Sequence, residues 1–357
     1  GLPHSEDYHR GMRLRKHLPL TLLALLVAGS SVLADPMAPP NDTRARAMQS
    51  ISQADTTPRL EELYRLARAG DDTALLLQLE SQSSREDLPA AARDYILYTF
   101  AISLGDLEAG SVGPAVFQYL ESNSPRVRVP HPDHPRVGVP LFNIPAAASG
   151  SRIRWHYDEA RASGQRLMAL GSTQWLTAYL VESPAGRQGM LDGLANATAT
   201  QTRQVGERAL AGTDKRSERT EVAARSALLL QDPDMLRSAI LSGRGPALTA
   251  AIRDMHDLLT PHEVVSLAAA AIAASPPATA ALIFAEPAER LAGEVEMTEL
   301  LFSTLPDPER GGAAAMALAR NPNPEVRARL LTLADDGDSL TGRRVQLALG
   351  LQASAET

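Results

Sequence analysis

The chain has 357 residues, a net charge of -7 and no cysteine, which excludes a cysteine nucleophile and a disulfide framework. Its 42 acidic residues outnumber its 35 lysines and arginines, and this balance argues against a nucleic-acid-binding surface. Aromatic residues are few, so helix packing must rely on aliphatic side chains.

Residues 12–34 have the pattern of a secretory signal peptide. Basic residues follow Met12, an apolar run extends from Leu18 to Ala28, and a small residue, Ala34, ends the segment. The apolar run is short for a bilayer-spanning helix, so we expect cleavage after Ala34 and not a membrane anchor. An exported chain without cysteine fits the periplasm of a Gram-negative bacterium, with no membrane span after cleavage. We therefore assign 1–34 to upstream residues and the signal peptide.

The next segments predict a leader and then helices. Residues 35–57 are polar, contain three prolines and lack an apolar period, which predicts a flexible leader. Helical periodicity begins near Pro58, and further helix starts are marked by Asp71, Pro89 and Pro114. We place an N-terminal helical region at residues 58–185.

A proline-rich segment, residues 124–150, interrupts this region. Five prolines fall between Pro125 and Pro140, and another is Pro145. Because proline lacks an N–H donor and fixes φ, the segment should be neither a helix nor a central strand. We predict an extended connector inserted between helices, with helical signal resuming at Arg152.

Residues 186–353 predict an all-α array of helical hairpins, an α-solenoid. Blocks of Ala, Leu, Arg and Glu are broken at intervals by Pro, Gly, Asn and Asp, and no block alternates as a strand does. A glycine-marked joint at 186–193 precedes the array, and Thr260 with Glu263 predicts a capping box. The predicted helices are Ser217–Leu230, Pro233–Leu241, Gly245–Leu259, Pro261–Ala274, Pro276–Glu286, Glu294–Leu305, Pro308–Arg320, Pro322–Ala334 and Leu340–Gln352.

One unit of this array, residues 307–335, resembles a HEAT repeat. Its run Asn-Pro-Glu-Val-Arg at 323–327, followed by Leu330, Leu331 and Leu333, is similar to the start of the second helix of such a repeat. The stretch from Asp234 to Arg237 is a poorer match and lacks the valine. The resemblance implies a binding scaffold and transfers no catalytic residues.

Catalytic motifs of known mechanism are absent from the sequence. There is no G-x-S-x-G, no P-loop and no S-x-x-K, and His262-Glu263 lacks the second histidine of a zinc protease because residue 266 is serine. One cluster suggests a metal: His131, Asp133 and His134, to which His156 would add a fourth ligand if the connector folds back. The alternative is a solvated loop.

Ten of the fourteen aromatic residues lie between Tyr95 and Tyr179. They predict either a bulkier N-terminal core or a groove for a peptide, glycan or partner strand. The groove hypothesis also includes basic residues that would meet an anionic ligand. Its residues are Phe142, Arg152, Arg154, Trp155, Tyr157 and Trp175.

The sequence thus predicts a periplasmic all-α scaffold that binds a protein or peptide partner in the cell envelope, with no cofactor and no nucleic acid. Two alternatives remain open at this stage. One is a metal-dependent hydrolase that uses His131, Asp133, His134 and His156. The other is a cell-envelope assembly factor.

Overall fold

The computed structural model describes residues 38–286, 290–291, 293–334 and 339–355, which form mainly helices, with connecting loops and one two-stranded sheet. The predicted all-α class is confirmed. No helix in the described part of the chain is both long enough and apolar enough to cross a bilayer. The predicted signal peptide and its cleavage position after Ala34 lie outside the described residues.

The chain divides into two compact units between Trp155 and His156. Sequence analysis placed the boundary after residue 185, thirty residues later along the chain. The structural division falls inside helix α6, Ile144–Leu170. The two positions differ because no proline or glycine marks a division at this point of the helix.

The first unit is built from short helices around one apolar core. The elements of this unit are α1 (Arg44–Gln53), α2 (Thr57–Ala69), α3 (Asp72–Ser84), α4 (Ala90–Ser103), α5 (Pro114–Ser122), β1 (Arg128–Pro130), β2 (Gly138–Pro140) and the start of α6. A single turn of 3-10 helix, Leu104–Asp106, follows α4.

The segment predicted as a flexible leader contains helix α1. Thr43 caps it by accepting a hydrogen bond from the N–H of Arg46 at 3.3 Å. Ala47 and Ile51, one turn apart, are buried in contact with α4. This ten-residue helix buries only two residues, which is too little apolar pattern for periodicity to detect.

The proline-rich segment forms a small hairpin held from both sides. Strands β1 and β2 pair antiparallel with Val129 opposite Val139. Asp94 of α4, a buried carboxylate beside Arg93, accepts the N–H groups of Arg126 at 2.7 Å and Val127 at 2.9 Å. These bonds satisfy the N–H groups of Arg126 and Val127, which precede the three-residue ladder. The ladder stays short because prolines lack the N–H donor that a longer one would need.

Residues before the hairpin also hold it in place. Asn41 donates its side-chain N–H to the carbonyl of Arg126 at 2.8 Å, and its side-chain oxygen accepts the N–H of Arg128 at 2.8 Å. The backbone N–H of Gly138 donates to the carbonyl of Ala38 at 2.9 Å. The residues just before α1 are therefore ordered by the hairpin that they cover.

The last part of the predicted connector is helical. Helix α6 begins at Ile144, eight residues before the predicted return of helical signal at Arg152. The side chain of Asn143 accepts the N–H of Ala146 at 3.2 Å, and a proline sits in the first turn, where its missing N–H costs nothing. Ile144 and Ala148 are fully buried, so this turn is held by the core.

The second unit contains the rest of α6 and twelve further helices among the described residues. They surround a separate apolar core. Their bounds are α7 (Ser172–Val181), α8 (Pro184–Gly193), α9 (Ala199–Ala211), α10 (Arg216–Leu230), α11 (Pro233–Ser242), α12 (Gly245–Asp254), α13 (Pro261–Ala274), α14 (Pro277–Ala285), α15 (Val295–Thr304), α16 (Gly311–Ala319), α17 (Pro324–Leu333) and α18 (Leu340–Ala355).

Two of the predicted helix starts in the second unit are confirmed and another is shifted. Thr260 and Glu263 form the predicted capping box at the start of α13. Asp232 caps α11 by accepting the N–H of Met235 at 2.9 Å. Helix α17 begins two residues later than predicted, because Asn323 and not Asn321 caps it.

The predicted glycine joint at residues 186–193 is wrong, because this segment is helix α8. Ser183 caps it and Pro184 occupies its first turn. Its glycines permit close packing: a Cβ on Gly189 would lie 2.2 Å from the carbonyl oxygen of Tyr157 on α6. Glycine is therefore required here by contact between two helix backbones, and it does not mark a chain break.

Replacing Gly189 with alanine should push α8 away from α6 and lower the free energy of unfolding of the second unit by about 1–3 kcal/mol. Urea unfolding followed by Trp175 fluorescence, in a Trp155→Phe background, measures this because those are the only tryptophans. The matched control is Gly350→Ala in α18, where a Cβ meets nothing within 4 Å. It should raise stability by about 0.5–1 kcal/mol. Equal stability of the two variants would contradict the packing argument.

Candidate functional site

A cavity of about 430 Å³ lies in the second unit between α8, α10 and α12. Its volume is within the range of roughly 300–1,000 Å³ that is usual for ligand sites. We call it the cleft. Its lining residues are Arg187, Gln188, Leu191, Asp192, Ser217, Glu218, Glu221, Ala224, Arg225, Leu228, Pro246, Ala247, Ala250, Ala251 and Asp254.

Asp192, on the α8 wall, is oriented by neighbouring donors. The hydroxyl of Tyr157 donates to its Oδ2 at 2.6 Å, and Nε2 of Gln188 donates to its Oδ1 at 3.1 Å. Burial raises the pKa of Tyr157 to about 12, and the hydrogen bond to Asp192 acts in the same direction. The phenol therefore keeps its proton near neutral pH and holds the carboxylate in one orientation.

A second phenol orients the α10 wall. The hydroxyl of Tyr179 donates to Oε2 of Glu221 at 2.6 Å. Its ring is fully buried and stacks on Trp175, with centroids 5.3 Å apart and an interplanar angle of 8°. Burial raises the pKa of the Tyr179 phenol, and the charge of Glu221 raises it further. Glu221 therefore has an oxygen committed to the protein interior.

The two arginines of the lining are partly committed to protein acceptors. Arg187 donates to the carbonyl of Glu182 at 3.0 Å, and its guanidinium is 4.0 Å from Oε1 of Glu218. Arg225 has one guanidinium nitrogen 3.7 Å from Oδ1 of Asp192. Their charges offset part of the negative charge on the wall.

Two further carboxylates, Glu218 and Asp254, line the cleft with fewer partners. Neither side chain accepts a hydrogen bond from the residues that the structure describes. Burial raises the pKa of the Asp254 carboxyl and the charge of Asp257 adds to this effect, whereas Arg225 and Arg253 oppose it. The lining thus has four carboxylates against two guanidiniums.

The described residues that line the cleft do not include a serine paired with a base. Among the described residues that line the cleft there is no histidine, and Ser217 is the hydroxyl side chain. A serine nucleophile needs a base within hydrogen-bond reach, and no hydrogen bond from the Ser217 side chain to such a base is present in the described part of the chain. Fixed charges beside apolar side chains are instead the features of a recognition site.

The two tryptophans predicted to line a groove are packing residues. Trp155 is 6% exposed, donates its indole N–H to the carbonyl of Leu104 at 2.6 Å and meets Phe117 edge to face. Trp175 is 1% exposed beneath the cleft wall. Buried indoles need such a partner or stacking contact, and here both rings contribute to cores.

The remaining predicted partner-binding residues lie in different settings. Phe142 is partly buried against the rings of Tyr95 and Tyr98. Arg152 is exposed and pairs with Glu121 at 2.9 Å, and exposed Arg154 pairs with Asp106 at 3.0 Å. Tyr157 hydrogen-bonds Asp192, which lines the cleft. A direct partner-binding role of all six residues stays a prediction.

The predicted metal ligands do not gather into a ligand set. His131 and His134 stack with ring centroids 5.4 Å apart, and Asp133 donates its backbone N–H to Nδ1 of His131. His156 belongs to the second unit and contacts Glu182 at 2.8 Å. In the described residues no group of three or more His, Asp or Glu is placed to hold a metal ion. Metal binding at this cluster stays a prediction.

Sequence reasoning missed the cleft because its residues come from three separate helices. Asp192 is 35 residues from Tyr157, and Glu221 is 42 residues from Tyr179. No local motif joins such positions. Ser183-Pro184 is the sequence signal that could have revealed helix α8, because serine at the cap and proline in the first turn mark a helix start. A proline also commonly follows the end of a helix, so the same pair is compatible with a helix end.

Comparison with known proteins identifies no relative. No protein-family model, no curated protein and no solved structure matches the chain. The site is therefore interpreted from its own geometry.

Replacing Tyr157 with phenylalanine should change how stability depends on alkaline pH. The folded chain holds the phenol proton up to a pKa of about 12, compared with the usual 10.0, so this contribution is complete below pH 10.0 and is lost as pH rises to about 12. Urea unfolding by far-UV circular dichroism should show a smaller alkaline loss in Tyr157→Phe than in the unmodified chain. Below pH 10.0 the difference in stability between the two chains should not depend on pH through this group. Identical alkaline losses in the two chains would contradict the assignment.

Proposed function

We propose that this protein is an exported, all-helical binding protein that holds a polypeptide segment of a cell-envelope partner in the cleft. The observation that carries the proposal is the cleft itself, which has carboxylates fixed by the phenols of Tyr157 and Tyr179 beside an apolar surface. Recognition sites combine apolar area with a few well-placed polar groups. Export to the periplasm is part of the proposal and is supported by the signal-peptide pattern of residues 12–34.

We also propose that the second unit is a HEAT-like array of helical hairpins. The principal contacts among α7 to α18 join helices no more than two apart in the order of those described, which is the contact pattern of a stacked array. In the unit at residues 307–335, α16 and α17 supply a helix pair, and Val326 and Leu330 are buried. Leu331 and Leu333, which contribute to the resemblance, are exposed. Arrays of this kind commonly serve as binding scaffolds.

A photo-reactive amino acid placed at position 250 tests the binding role. Ala250 lines the cleft on α12 and is exposed, so the substitution should not disturb the core. In cells of the source organism, illumination should link the full chain to one dominant envelope polypeptide. The adduct should be recovered from the periplasmic fraction, with the chain beginning at Asp35.

The matched control is position 328, an exposed alanine on α17 outside the cleft. It should give no adduct with the same polypeptide. Equal yields from positions 250 and 328 would contradict a specific role for the cleft. Recovery of the unprocessed chain from the cytosol alone would contradict export.

A further inference from the structure

The carboxylates of the cleft fall into two groups with different tasks. Asp192 and Glu221 each have an oxygen committed to a phenol at 2.6 Å. Glu218 and Asp254 accept no hydrogen bond from the described residues, although each carboxylate has lone pairs for several donors. Glu218 on α10 and Asp254 at the end of α12 are therefore the carboxylates of the cleft that can accept hydrogen bonds from a ligand.

An anionic ligand fits this cleft poorly. The guanidinium of Arg187 is used by a backbone carbonyl at 3.0 Å and lies near Glu218, and Arg225 lies 3.7 Å from Asp192. Four carboxylates against two guanidiniums leave the wall with an excess of negative charge. A carboxylate or phosphate entering here would meet repulsion from the wall.

The apolar part of the cleft suits a long aliphatic stem. Leu191 of α8, Leu228 of α10 and Pro246 of α12 line it together with several alanines. Lysine and arginine side chains pack their methylene stems on such surfaces while the charged end remains on polar groups. A free metal ion would leave this apolar surface unused.

We propose that the cleft binds the basic side chain, lysine or arginine, of the polypeptide segment that it holds, with Glu218 and Asp254 accepting hydrogen bonds from the ammonium or guanidinium group. This inference rests on the proposed binding role of the cleft. The phenol-bound carboxylates Asp192 and Glu221 keep the walls in place and add to the negative charge.

Binding of short peptides to the full chain tests the inference. The probes are Ac-Ala-Arg-Ala-NH2, its neutral isostere with citrulline, the lysine and glutamate versions, and putrescine as a free amine, each measured by isothermal titration calorimetry. The arginine peptide should bind at least about tenfold more tightly than the citrulline peptide, because charge-assisted hydrogen bonds exceed neutral ones by this order. The lysine peptide should also bind, and the glutamate peptide should not.

Substitutions locate the site. Glu218→Gln and Asp254→Asn should each reduce the preference for arginine over citrulline, and the double variant should abolish it. Glu207→Gln, an exposed carboxylate of α9 outside the cleft, is the matched control and should keep the preference. Thermal unfolding of each variant confirms that the second unit is folded.

Equal binding of the arginine and citrulline peptides, stronger binding of the glutamate peptide, or binding of putrescine alone would overturn the inference. These outcomes are separable from failure of the proposed function. An arginine preference without a polypeptide adduct at position 250 supports the cation site and removes the envelope partner. An adduct at position 250 without an arginine preference supports the envelope partner and removes the cation site.

Discussion

Two phenols, the partly buried Tyr157 and the fully buried Tyr179, fix the walls of the cleft. Tyr157 of α6 donates to Asp192 of α8, and Tyr179 of α7 donates to Glu221 of α10, both over 2.6 Å. A hydrogen bond from a neutral donor to a carboxylate is strong where water is partly excluded. Each bond ties a carboxylate of the wall to the helix behind it, and Gly189 allows the close approach that the first bond needs. The cleft is therefore largely preorganised, which lowers the entropic cost of binding.

The four carboxylates of the cleft have different roles, and these roles connect the fold to the proposed ligand chemistry. Two carboxylates are used to hold helices together, and two, Glu218 and Asp254, remain as acceptors on the surface of the cleft. Partial burial in the cleft strengthens the field of these charges, because its low-dielectric walls screen them less than bulk water does. On the proposed binding role, the carboxylates of the cleft favour a ligand with positive charge.

The sequence predicted helices and their start signals better than it predicted tertiary contacts. The Thr260–Glu263 capping box is a local interaction over three residues, and it was predicted correctly. Helix α8 was missed because its glycines resemble breakers when the helix that they contact is unknown. Helix α1 was missed because it is held by its contact with α4 and has little apolar pattern of its own. The phenol–carboxylate pairs join residues at least 35 apart, so they required the fold.

Hydrogen exchange of the full chain, measured with and without the polypeptide linked at position 250, reports whether the cleft is where the polypeptide binds. Binding there should slow amide exchange in α8, α10 and α12, the three helices that form the cleft. Exchange in α17 and α18 should change little. Slowed exchange confined to residues 38–155, with α8, α10 and α12 unaffected, would contradict it.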